Sequence, residues 1–260
     1  MTVRLCGSIV VLTAVIALFL MPASVAAQAG IPRLPDGKPD FSGVWDRPRI
    51  GDITRNSTAC GSGSLGCKQE GTGTPGELPY TEYGKSKWEG NRVDWTAYCL
   101  PWGYSRSWQT EYPVEIIQTP KQFAILFESN NIFHKVKIDG TPRPQNLEPS
   151  WLGKSYGKWE GDTLVIETSG FNALTYLDTG EHPMSDQLVI TERMRYIDPN
   201  HLSYEITWTD PKTYTRPLKN TRTFVRMEKG KDELMEYWCM ENNKDLLDGR
   251  VPKFPGYDQP

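Results

Sequence analysis

Between residues 115 and 227 the chain repeats one local pattern: a short β-prone run, then tight-turn residues, then another run. The runs lie at 115–118, 122–128, 132–138, 159–168, 187–197, 202–209 and 221–227. Asp139-Gly140, Glu160-Gly161-Asp162 and Asp198-Pro199-Asn200 supply bends, because Gly reaches positive φ, Pro presets φ and Asn tolerates a tight conformation. Parallel neighbours need a long crossover, usually helical, and no helix-like stretch separates these runs. The pattern predicts a mainly β fold whose antiparallel strands close into a barrel or stack as a sandwich.

Outside this block the signals change. Residues 30–110 read as an extended, loop-rich segment that opens with the first strand at 43–45. Residues 50–80 within it are rich in Gly, Ser and Thr and predict an irregular excursion. A short helix is expected over 81–91, with Thr81 as its N-cap. Residues 231–245 read as a short C-terminal helix, so 111–260 is a barrel region with a terminal helix. The 20 prolines and 23 glycines fit a loop-rich chain. The two parts read as one domain, because 260 residues suffice for one core with a long insertion.

Residues 1–29 have the three parts of a secretory signal: Arg4, an apolar run at 9–20, and small residues at 23–29. The apolar run falls short of the roughly 20 residues that span a membrane. A signal cut after Ala27 or Ala29 is expected rather than a retained anchor, which predicts a periplasmic or extracellular protein with no membrane span after cleavage. The side chains number 29 basic against 32 acidic. That weakly acidic balance offers no electrostatic reason to bind nucleic acid.

Four cysteines follow the leader, and an even number in an exported chain points to disulfides. Cys60 and Cys67 flank a flexible Gly-Ser segment that closes into a small ring. Cys99 is then left to join Cys239, tying the middle of the chain to its C-terminal part. A metal site is the rival reading, but Cys-x-x-Cys spacing and neighbouring histidines are missing. No Gly-rich phosphate loop, His-Glu-x-x-His or dinucleotide fingerprint appears, so neither metal nor cofactor is predicted.

Alternate side chains of a strand point to opposite faces, so each run splits into two columns. Leu202, Tyr204, Ile206 and Trp208 make one apolar column, which Asp210 continues. Glu192 interrupts the column of Leu188, Ile190, Met194 and Tyr196. His134 sits among Ile132, Val136 and Ile138, and Thr168 ends the column of Leu164 and Ile166. A carboxylate on an inward face must be paired, protonated or wetted. Glu192 and His134 are therefore candidates to face a ligand cavity, with Thr168, Trp208 and Asp210 beside them. The competing readings pair Glu192 with Arg193, Arg195 or Arg222, or turn the apolar face outward under the C-terminal helix. A second cluster gathers Asn172, Asp178, His182, Ser185 and Asp186 in the loop between two strands. Asp178 can orient the imidazole of His182, and Ser185 would complete a nucleophile, base and acid set. The alternative is a polar loop that caps its own backbone.

Pro39-Asp40-Phe41-Ser42-Gly43-Val44-Trp45, Cys99-Leu100-Pro101 and the run at 147–172, with its Trp-Glu-Gly-Asp-Thr-Leu-Val-Ile-Glu-Thr core and Gly-Phe-Asn end, carry a resemblance. Asp178, His182-Pro183, Ser185 and Thr191-Glu192-Arg193 continue it. In these stretches the chain resembles a large group of exported bacterial proteins, which implies export but no particular chemistry. Gly43-Val44-Trp45 also resembles the Gly-x-Trp opening of lipocalin-like barrels. That resemblance implies a tryptophan closing the barrel bottom under an arginine from a late strand, here Arg222 or Arg226. The long stretch between Trp45 and Glu115 departs from a simple lipocalin.

Three functions compete on this reading. The first is a barrel that binds a small, partly apolar or aromatic molecule. The second is an enzyme on the same scaffold, a lyase, isomerase or hydrolase using Glu192, His182 and Asp178 as acid–base groups. The third is a surface or matrix component without a ligand. Convergence of Glu192, His182 and Asp178 on one cavity would favour the enzyme. The oligomeric state is not legible in the pattern.

Overall fold

The repeated runs become nine barrel strands: β1 (Gly43–Asp46), β2 (Val114–Gln118), β3 (Gln122–Phe127), β4 (Ile132–Lys137), β5 (Lys154–Glu160), β6 (Thr163–Ser169), β7 (Val189–Asp198), β8 (His201–Thr209) and β9 (Leu218–Arg226). They belong to a computed structural model that describes residues 30–48, 53, 55–56, 70–71, 78–90, 94–110, 112–241 and 243–250. The leader and the Cys60–Cys67 pairing lie outside the described residues. Strands β2 to β9 pair in chain order, and β1 closes the ring between β9 and β2.

One step of the ring corrects the antiparallel expectation. An odd number of strands cannot reverse direction at every neighbour around a closed ring, so parity demands a parallel step. It falls between β4 and β5, joined by residues 138–153, and the register holds only Val136 opposite Ser155 and Lys137 opposite Tyr156. By contrast β7 and β8 pair along nearly their whole length, from Leu202 opposite Tyr196 to Thr209 opposite Val189. The parallel step and the β1–β9 closure, with two register pairs each, are the thinnest joints in the wall.

The column analysis of the strands holds inside the ring. Leu202, Tyr204, Ile206 and Trp208 are fully buried, as are Ile190, Glu192 and Met194 facing them from β7. Phe123, Ile125 and Phe127 from β3 and Leu164 and Ile166 from β6 complete the lining. At about 25 cal/mol per Å² of apolar surface removed from water, this shared core is the main favourable term in closing the ring.

The lumen is not empty. A short helix, α2 (Tyr104–Gln109), lies inside it with all six residues buried. Gly103 opens the helix at φ +83°, and a Cβ there would come within 2.3 Å of the Thr175 hydroxyl, so glycine allows the entry turn. Trp108 packs against Phe127, Tyr204 and Phe224 at ring-centre distances of 5.0, 4.9 and 5.7 Å. A helix end buried in a barrel leaves carbonyls without partners. Arg47 Nη1 donates to the Ser107 carbonyl at 2.9 Å and Arg222 Nη1 to the Trp108 carbonyl at 3.0 Å. Burial, the largest influence, lowers Arg47 to about 9 and Arg222 to about 10, the two cations also repelling at Arg47. Residues 30–110 are thus more than an excursion: their end returns to fill the barrel.

The helix expected at 81–91 is α1 (Glu82–Glu89), and the Thr81 hydroxyl accepts from the Gly84 amide at 3.0 Å as an N-cap should. The C-terminal expectation is corrected. Only the turn α3 (Lys244–Leu247) is helical, and 232–238 runs without regular structure. The reason is tethering. Met235 N donates to Glu128 Oε2 at 2.8 Å, the Tyr237 carbonyl accepts from Asn131, and Cys239 is disulfide-bonded to Cys99 with Cα atoms 5.5 Å apart. Backbone groups spent on the barrel are unavailable to a helix. The pairing of Cys99 with Cys239 suits an oxidising compartment. No helix among the described residues is long and apolar enough to cross a membrane.

Candidate functional site

Glu192 stands at the centre of the lumen with no exposure. Neither competing reading of it holds. Arg193 turns out to Glu160 and Arg222 holds α2, while the strand face that carries Glu192 points inward. Its carboxyl instead accepts from two phenols, Tyr104 Oη on Oε2 and Tyr204 Oη on Oε1, both at 2.8 Å. Burial dominates and pushes Glu192 up to about 7, against the opposing pull of the tyrosine hydrogen bonds. Burial also drives both tyrosines well above their ordinary range, so they remain donors.

Beside Glu192 a chain of short hydrogen bonds runs from Thr168 to the parallel seam. Thr168 helps hold the carboxyl down against burial, its Oγ1 lies 2.5 Å from Ser155 Oγ, and Ser155 Oγ lies 2.5 Å from His134 Nε2. The ring of Tyr104 packs on His134 at 4.4 Å. Burial, reinforced by the charge of Lys154, lowers His134 to about 3 and keeps it neutral. The chain has two consistent polarities. With both hydroxyls donating toward His134 Nε2, the imidazole proton resides on Nδ1. With both reversed, Nε2 carries the proton and Thr168 Oγ1 is free to donate at the Glu192 end.

The His134 end meets open space. Strands β4 and β5 separate beyond their two register pairs, and a cavity of about 900 Å³ lies between residues 131–137 and 150–156. Inward-facing Phe123, His134, Val136 and Ser155 form its depth, and Ala124, Phe133, Trp151 and Leu152 its wall. His134 reaches across the opening to Ser155, where backbone pairing ends.

No family model, curated protein or solved structure matches this chain.

The loop cluster separates from Glu192 and divides in two. Asp178 and His182 are both fully buried and joined at 2.6 Å through Nδ1. Asp178 also accepts from the Ile53 and His182 amides, and Trp88 stacks on the imidazole at 5.0 Å. Ser185 does not join them: its hydroxyl donates to Asp210 at 2.6 Å, and Asp210 also accepts from the Ser185 and Thr213 amides. Asn172 accepts from the Leu174 amide and shapes a turn, and Trp208 donates to Ser105 from the core. The nucleophile set expected from Ser185, His182 and Asp178 is thereby corrected, as Ser185 bonds Asp210 and not His182. Among the described residues no group of three His, Cys, Asp or Glu is arranged to hold a metal.

Sequence reasoning missed Tyr104 and Ser155. Tyr104 lies in a six-residue helix with no amphipathic period, and Ser155 sits in a strand half with no apolar run. The only available signal was the hydroxyl column that Ser155 makes with Thr168 once β5 and β6 are paired.

Proposed function

We propose that this is an exported, lipocalin-like barrel that binds a small, partly apolar molecule in the crevice at the β4–β5 seam. The observation that carries the reading is the cavity of about 900 Å³ whose depth is formed by inward-facing Phe123, His134, Val136 and Ser155. Binding pockets commonly join an apolar wall to a few placed polar groups. The central lumen is filled by α2, so the opened wall is the available space. The packing of Arg226 on Trp45 and the disulfide support the lipocalin-like and exported parts of the proposal. Native mass spectrometry of the mature protein tests it: a small-molecule adduct is expected, abolished by Ala124→Trp at unchanged melting temperature. A consistently empty protein that also binds no apolar dye would refute binding.

One observation favours a catalytic version of the same site. The Glu192 carboxyl, pushed up to about 7, lies beside the Thr168–Ser155–His134 hydrogen-bond chain that ends at the crevice. Completed by a Thr168–Glu192 contact, such a wire suits proton transfer to or from a bound molecule. On this version a ligand C–H adjacent to an activating group exchanges in D2O, and Glu192→Gln suppresses the exchange while retaining binding. Exchange equal in both proteins removes Glu192 from the chemistry.

A further inference from the structure

The crevice has a charge pattern that an apolar ligand alone does not explain. Its lining includes Lys121, Lys135, Lys137 and Lys154 and a single acidic residue, Asp139, in a chain whose formal net charge is −3. Elsewhere several surface lysines are matched: Lys85 with Glu89, Lys158 with Glu160, Lys212 with Asp186 and Lys219 with Glu205. Among the described residues none of the four crevice lysines is within ion-pair distance of a carboxylate. Lys135 and Lys154 each precede a residue of the Val136–Ser155 register pair, so both stand where the seam opens.

Resting on the binding function proposed above, we infer that the crevice takes an amphiphile with an anionic head, the chemistry of a medium- or long-chain carboxylate. The head sits between Lys135 and Lys154 at the mouth. The apolar body lies against Phe133, Trp151 and Leu152. The anion matches the unpaired lysines, and the body covers Phe133, which is 65 % exposed without a ligand. Lysine rather than arginine at the mouth fits a head group held by charge instead of a bidentate fork.

Displacement of a neutral polarity-sensitive dye by three probes of equal chain length, dodecanoate, dodecan-1-ol and dodecylamine, tests the inference. Dodecanoate is expected to bind about tenfold more tightly than the alcohol, with an advantage that shrinks as salt screens the mouth. Lys135→Gln with Lys154→Gln is expected to remove that advantage and leave the alcohol unchanged. Both lysines are exposed, so the double variant folds, and an unaltered melting curve checks this. Equal affinity for carboxylate and alcohol, tightest binding of the amine, or an unaffected carboxylate in the double variant overturns the anionic head while binding itself stands. Failure of all three probes to displace the dye refutes the anionic amphiphile, and a dye that itself fails to bind takes the underlying binding function with it.

Discussion

Arg226 lies over Trp45, its guanidinium carbon 4.3 Å from the ring centre, and ties down three separate pieces of chain from that position. Nη1 donates to the Ser42 carbonyl at 3.0 Å, Nη2 to Tyr196 Oη at 2.7 Å, and Nε to the Pro199 carbonyl at 3.3 Å. Gly43, at φ +130°, makes room, because a Cβ there would lie 2.4 Å from Nη1. Trp45 anchors itself by donating from Nε1 to the Phe41 carbonyl at 2.9 Å. Trp45→Ala is expected to lose ~3–5 kcal/mol in denaturant unfolding. Gly43→Ala should also destabilise by displacing the arginine. A Trp45→Ala protein as stable as the parent removes the closing role of this end.

The disulfide between Cys99 and Cys239 closes a loop with a sequence separation of 140. Chain entropy puts its contribution at roughly 4–5 kcal/mol. Replacing both cysteines by serine should lower the melting temperature by several degrees and free 232–238 to exchange amide hydrogens faster. Unchanged melting would mean that the hydrogen bonds of Met235 and Tyr237 suffice to hold the segment.

Stability should fall with rising pH through the range where Glu192 ionises. The folded carboxyl keeps its proton up to about 7, whereas an ordinary glutamate loses it near 4.5. The native state therefore binds more protons between those values, and stability is fully present below 4.5 and lost as pH rises toward 7. The difference corresponds to about 3 kcal/mol. Glu192→Gln should flatten this part of the stability profile, whatever its effect at a single pH. A profile that keeps the same fall in the variant places the titrating group elsewhere.

His134 acts with the opposite sign. Its folded value of about 3 lies below the ordinary 6.5, so the unfolded state takes up the proton first and stability declines as pH drops from 6.5 toward 3. Between 4.5 and 6.5 the two groups oppose each other, and His134→Gln should expose the glutamate slope there. Nitrogen NMR of the imidazole offers a direct check on the wire. The proton should move from Nδ1 to Nε2 as pH passes through about 7, the range in which Glu192 ionises. A tautomer indifferent to that titration would disconnect the two ends.

The lumen-facing half of this architecture was legible because it rests on period-two patterning, and Leu202 to Trp208 could be assigned a face by inspection. Glu192 and His134 stood out for the same reason: a polar side chain in an apolar column is a local anomaly. What they touch was not legible. Tyr104 reaches Glu192 across 88 positions, and nothing in its neighbourhood announces a helix destined for the lumen. The loop residues misled because sequence proximity of Asp178, His182 and Ser185 says nothing about which backbone amides each carboxylate serves. The C-terminal segment misled because tethers to Glu128 and Cys99, distant in the chain, override its local preference.

The parallel step makes this ring behave like a crystal with a line defect. Eight of its nine joints are antiparallel ladders, and unfastening β4 from β5 releases two register pairs, as few as at the β1–β9 closure. Unfastened there, the barrel becomes an ordered ribbon running from β5 through β9 and β1 to β4, its two free edges still leashed by residues 138–153. The β1–β9 closure, equally short in pairs, has no such leash, since its strands lie at opposite ends of the ring's sequence; at the parallel step alone does a two-pair joint open between edges that the chain itself keeps together.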